Sequence, residues 1–262
     1  MTTPQHPASL ESAAQHPSAQ HPEPQRSASP GSVRPSTTRP DGAGSSALVL
    51  PPARRYEYET DGAQIYLHSF ATIRAEANLT AVPSDAETVA VRMIHACGQV
   101  DLSRDLVIHP ELVAATRKAL NDGAPIFTDA GMVASGVTRT RLPRNNDVLC
   151  LLRDERVPDL ARQFRTTRSA AAVSLWGSRL EGAVVAIGNA PTALFHLLEM
   201  ISDGGPRPAA IIGVPVGFIG AAESKVALIQ HEAQVPYLAV VGRRGGSAMA
   251  ASAVNALAQE QE

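Results

Sequence analysis

Three short apolar runs, residues 184–187, 209–212 and 236–241, each lead through a glycine-bearing loop into a helical pattern. Such runs offer water no polar face, so they belong to strands covered on both sides. With helices alternating between them, the chain is directed toward a parallel sheet joined by crossovers. Residues 125–128 and 148–152 add two further strands. The expected fold is α/β, a single doubly wound domain with a mainly parallel sheet of about five strands. Helices are expected over 62–77, from Ser84 or Asp85 to Cys97, and over 110–120, 130–135 and 160–164. Others are expected over 170–180, 193–201 and 221–230, with a last one reaching Leu257. Right-handed crossovers gather the strand-to-helix loops at one edge, where sheets of this kind bind ligands.

The domain is expected to occupy residues 55–262. Residues 1–54 hold half of the chain's twenty prolines, among Ser, Gln, Thr and Gly, with no apolar periodicity. Such a stretch buries too little surface to offset its ordering entropy, so it reads as a disordered tail. Its Gln-His-Pro triplets, with His6, His16 and His21, read as solvated rather than metal-binding.

A net charge of −2 excludes a general nucleic-acid binder while permitting a local basic pocket. Cys97 and Cys150 are isolated and form no zinc or redox motif, which points to a reduced, cytoplasmic protein. No run is apolar and long enough to span a membrane, and the N-terminus lacks a secretory pattern.

One helix carries the best candidate for chemistry. Ala86, Val89, Met93 and Cys97 form its buried stripe, and Gly98 ends it. His95 lies about 200° from Met93 at roughly 100° per residue, on a face shared with Thr88, Arg92 and Gln99. It stands in the last turn, where the helix dipole favours an imidazolium. The pattern leaves two roles open, a cap for its own helix and a general acid. Cys97 falls on the buried stripe and reads as core.

The turn 188–192 joins a strand end to a helix start, and free amides there would form an anion site. It matches neither a Walker motif nor the dinucleotide fingerprint. The apolar, glycine-rich loop 213–220 suits a large flat ligand, or is a tight turn and nothing more. Arg139, Arg141, Arg144 and Arg168 bring cations toward loops or helix starts, and arginine pairs bidentately with carboxylates. Glu223, Ser224 and Lys225 begin a helix and read as capping residues.

Several blocks together resemble the precorrin-8X methylmutase family. They are Tyr66-Leu67-His68-Ser69-Phe70 with Ile73-Arg74-Ala75-Glu76, AVRMIHACG from Ala90, and Gly136-Val137-Thr138-Arg139. They continue with Thr167-Arg168-Ser169, VVAIGNAPTALFHLLEM from Val184, Gly217-Phe218 with Ala221 to Lys225, and Gly245 to Met249. The resemblance implies an isomerase that moves a methyl group within ring C of precorrin-8X to give hydrogenobyrinate, formally a [1,5]-sigmatropic shift. It implies no cofactor, no metal in the protein and a homodimer. It makes His95 the proton donor and acceptor, and places Ser69, Thr138, Arg139, Arg168, Asn189 and Gly217 against the substrate. Two alternatives stay open: the same shift on cobalt-precorrin-8 giving cobyrinate, and a corrinoid carrier without turnover.

Overall fold

A computed structural model describes residues 51–259. The expected tail falls outside them except for residues 51–54, which are exposed and irregular. From Tyr56 onward the described residues form one compact unit.

The strands are β1 (Leu106–Ile108), β2 (Ile126–Thr128), β3 (Val148–Leu149), β4 (Val184–Ile187), β5 (Ala210–Gly213) and β6 (Tyr237–Val240). They lie in the order β1-β6-β5-β4-β2-β3. All pair in parallel except β1 with β6, where Val107 faces Ala239. The sheet thus has six strands rather than five. The additional one is an antiparallel edge of three half-buried residues between Asp105 and His109, too short to show an apolar period. The expected strand over 148–152 contracts to two residues.

The helices are α1 (Gly62–Glu76), α2 (Glu87–Cys97), α3 (Leu112–Asn121), α4 (Gly131–Gly136) and α5 (Val157–Phe164). They continue as α6 (Arg168–Ser174), α7 (Pro191–Ser202), α8 (Ala221–Ile229) and α9 (Ser247–Leu257). The single helix expected over 170–180 is two pieces, because Gly177 turns to a φ of 54° and the chain continues as a 3-10 turn. Neither Ser84 nor Asp85 caps α2. Both are wound into a 3-10 turn ahead of it, and no side chain bonds its first amides. Gly98 ends α2 in the left-handed conformation, as expected.

Every residue of β2, β4 and β5 is buried, and alternate residues face opposite layers. Val184, Ala186, Ile212 and Leu238 pack into the layer of α2, α3 and α9, while Val185, Ile187, Ile211 and Ala239 pack under α7 and α8. Each buried Val or Ile contributes about 1.5–3 kcal/mol, so this two-sided burial holds the domain together. Trp176 stacks on Phe127 with centroids 5.1 Å apart. α9 is alanine-rich on its buried side, which lets its neighbours approach closely. A Cβ on Gly136 would lie 2.6 Å from the Ala251 Cβ, and one on Gly188 would lie 2.8 Å from the Ala250 Cβ.

The chain passes from β2 outward to β3, then returns past β2 to β4 and proceeds through β5 to β6. The direction of winding therefore reverses between β2 and β4, and their carboxyl ends open a crevice.

Candidate active site

The last turn of α2 presents His95 at the surface, not in the core. α1 packs beside α2 and supplies its surroundings. The Ser69 hydroxyl shares a 2.8 Å hydrogen bond with His95 Nδ1. The ring of Tyr66 lies 5.3 Å away, tilted by 32°, and Phe70 meets it edge-on at 5.4 Å. Ser69 fixes one ring nitrogen and the two aromatics fix the plane. Nε2 has no hydrogen-bond partner among the described residues and remains available for exchange with a ligand.

His95 lines a recess of about 130 Å3 with Tyr66, Arg92, Thr138, Arg141 and Asn255. An apolar groove of about 570 Å3 shares Tyr66, Arg92 and Arg141 with it, and adds Leu67, Phe70 and Arg74. Arg92 is only 8% exposed and lies 5.4 Å from the Phe70 ring centre. Its position one helical turn before His95 puts both on the same face, the spacing signal that could have singled it out. Arg74 pairs with Glu87 at 2.8 Å. The Thr138 amide donates to Asn255 Oδ1 at 2.8 Å, and Asn255 Nδ2 donates to the Gly136 carbonyl at 2.9 Å. One α9 side chain thereby places the segment after α4 against the recess.

Ser69, His95 and Thr138 therefore come together, while the other expected contacts do not join them. Arg139 donates to the Val148 carbonyl at 3.3 Å and lines a separate depression with Pro143 and Asn145. Asn189 lines a cleft of about 780 Å3 at the β2–β4 crevice, with Met132, Arg153 and Ser247. Arg168 is exposed at the start of α6, where the cap residue Thr167 bonds Thr192 at 2.7 Å. Gly217 lies in the 213–220 loop with a φ of 148°, next to Phe218 and Ile219, which are 81% and 89% exposed.

The expected anion site in the turn 188–192 is already filled. Asp129, at the end of β2, accepts hydrogen bonds from the amides of Gly188, Asn189 and Ala190 at 3.0, 2.9 and 2.6 Å. Burial pushes this carboxyl above the usual carboxylate range, and the three amides pull it back only in part. A ligand phosphate has no free amide to take at Gly188, Asn189 or Ala190.

The expected capping role of Glu223, Ser224 and Lys225 is not what the structure shows, because no side chain bonds the first amides of α8 and Lys225 reaches away to two loops. Its side chain is fully buried and donates to the carbonyls of Pro215 at 3.1 Å and Arg244 at 2.6 Å, pinning the loops after β5 and β6 together. Gly245 packs so closely there that a Cβ would lie 2.2 Å from the Val214 oxygen. Burial pushes the Lys225 ammonium down to about 8, and Asp105 offsets this in part. The folded chain thus releases this proton before the unfolded chain does, so stability rises with pH from about 8 to the ordinary 10.5. In urea melts across that window, wild type is expected to gain on the order of 3 kcal/mol over Lys225→Met. Cys97 is half-buried and burial raises its thiol, so it is not an activated nucleophile. Among the described residues, no three His, Cys, Asp or Glu side chains group as metal ligands. No helix there is long and apolar enough to cross a membrane.

Known proteins share the sequence of this chain over most of its length. A family described as "Precorrin-8X methylmutase" matches residues 64–260. The precorrin-8X methylmutase of Pseudomonas aeruginosa is 60% identical over 206 residues, covering 79% of this chain and 99% of that one. Its counterpart in Sinorhizobium sp. is 58% identical over 204 residues, covering 78% and 97%. The crystal structure of the Thermus thermophilus precorrin-8X methyl mutase superposes with a TM-score of 0.69 at 38% identity, covering 75% of this chain and 95% of that one. Relatives at 32–38% identity bear the name cobalt-precorrin-8 methylmutase. This chain belongs to the precorrin-8X methylmutase family, isomerases of cobalamin biosynthesis.

Proposed function

We propose that His95 is the proton donor and acceptor in the conversion of precorrin-8X to hydrogenobyrinate. The supporting observation is the imidazole held by Ser69 in an exposed recess that opens on an apolar, arginine-lined groove. A flat macrocycle bearing carboxylates suits those walls. Protonation by His95 draws electron density from the conjugated system, and the methyl group migrates from the carbon beside the ring C nitrogen to its neighbour. The proton then returns to the imidazole, so the step is an isomerisation with no net exchange. A positioned general acid is worth about 10²–10⁴-fold. Holding the ring in its reactive conformation supplies the remainder.

Ser69 and Thr138 contact the substrate from the chain that carries His95. Arg139, Arg168, Asn189 and Gly217 do not line that recess, and a second copy of the chain would bring such residues to the same macrocycle. The protein is accordingly read as a homodimer, and its two unpaired cysteines favour a cytoplasmic setting. The exposed apolar side chains Tyr66 and Leu67 on α1, and Phe218 and Ile219 after β5, favour the homodimer.

Precorrin-8X is favoured over cobalt-precorrin-8 because the relatives at 58% and 60% identity carry the metal-free name. Incubating the purified protein with each substrate in turn, and following the absorption spectrum, tests this. Faster conversion of precorrin-8X supports the reading, and faster conversion of the cobalt compound overturns it. Binding of both without a spectral change would mark a carrier. Ser69→Ala is expected to lower kcat about 10-fold while product affinity falls only about 2- to 5-fold, because it frees the imidazole without removing it and gives up one neutral contact to the ligand. Steady-state kinetics with product titration checks this.

A further inference from the structure

We propose that Arg141 is the residue that selects a carboxylated macrocycle, clamping an acidic arm beside the ring that His95 protonates. This rests on the reading of the His95 recess and its groove as the substrate site.

Arg141 ends the 3-10 turn Arg139–Arg141, where its amide donates to the Thr138 carbonyl at 2.9 Å. It lines both the recess and the groove, so an arm held there belongs to a ring lying across both. The three arginines of the groove differ in what occupies them. Arg74 is neutralised by Glu87. Arg92 is buried over the Phe70 ring. The Arg141 guanidinium meets only a neutral group, Gln259 Oε1, at 3.3 Å, and forms no ion pair with any described carboxylate. It is half-buried, so part of its hydration is already lost and a carboxylate would meet it in a medium that screens weakly. A planar fork with several N–H groups fits a carboxylate bidentately, which a lysine ammonium does not. Arg139, two residues earlier, is turned to a different depression and offers no such contact.

The test uses Arg141→Gln, which removes the charge while keeping a polar side chain, and Arg141→Lys, which keeps the charge without the fork. Binding of hydrogenobyrinate and of its uncharged methyl ester is titrated spectroscopically at low and high salt, alongside steady-state kinetics. Arg141→Gln is expected to weaken hydrogenobyrinate binding and raise KM for precorrin-8X by about 10- to 100-fold, with kcat within about threefold of wild type. The salt dependence of binding should shrink. Arg141→Lys should recover only part of the affinity, and binding of the ester should be the same for wild type and Arg141→Gln. Equal affinity of wild type and Arg141→Gln for hydrogenobyrinate, or an equal loss for acid and ester, overturns the assignment while the reading of the site stands. A wild type that neither binds nor converts its substrate overturns both.

Discussion

Asp129→Ala is expected to destabilise the folded chain by about 3–5 kcal/mol, a large fraction of the stability of a domain this size. The carboxylate accepts three amide hydrogens in a site that is 3% exposed, and its removal strands all three. Each stranded buried donor costs about 1–3 kcal/mol, reduced where water enters the vacated space. Asp129→Asn should lie between, because one oxygen still accepts while the new NH2 group confronts a donor. The pH dependence has a definite sign. With its folded value raised, Asp129 binds its proton more tightly in the folded chain, so its contribution is greatest below the unfolded value and falls as pH rises through the folded one. The gap between wild type and Asp129→Ala should therefore not shrink as pH falls from about 6 toward 4. Urea midpoints across that range check both statements, and coincident midpoints would refute them.

His95→Ala is expected to lower kcat by about 10²–10⁴-fold while hydrogenobyrinate binds within a few-fold of wild type. The groove walls Leu67, Phe70 and Arg92 come from elsewhere on α1 and α2, and they stay in place when the imidazole is removed. The fold should also survive, since the side chain is exposed and its hydrogen bond is to a single serine. His95→Asn keeps a polar group near Ser69 without a titratable ring, and should be nearly as slow. A loss confined to KM would reassign His95 to binding.

The sheet was legible because β4, β5 and β6 are continuous apolar runs whose burial follows from composition alone. β1 was not, because three residues at an edge carry no period and its pairing with β6 depends on a strand 130 residues later. The face of α2 that carries His95 followed from helical spacing. Its bond to Ser69, 26 residues earlier, did not, because it requires α1 to lie against α2; the family resemblance supplied that residue. Asp129 belongs to no motif in the sequence and is marked only by its place directly after the run 125–128. That it fills the turn 188–192 follows from β2 and β4 being neighbours, a tertiary fact. The arginines were the least legible, since Arg139 and Arg141 stand in the same turn and only the fold shows which of them enters the recess.

The most direct test of the account is a single turnover with enzyme in excess over precorrin-8X, so that every substrate molecule is bound. Wild type should carry the absorption spectrum fully to that of hydrogenobyrinate, while His95→Ala holds the bound substrate spectrum unchanged over the same interval. Conversion by His95→Ala at the wild-type rate would contradict the account.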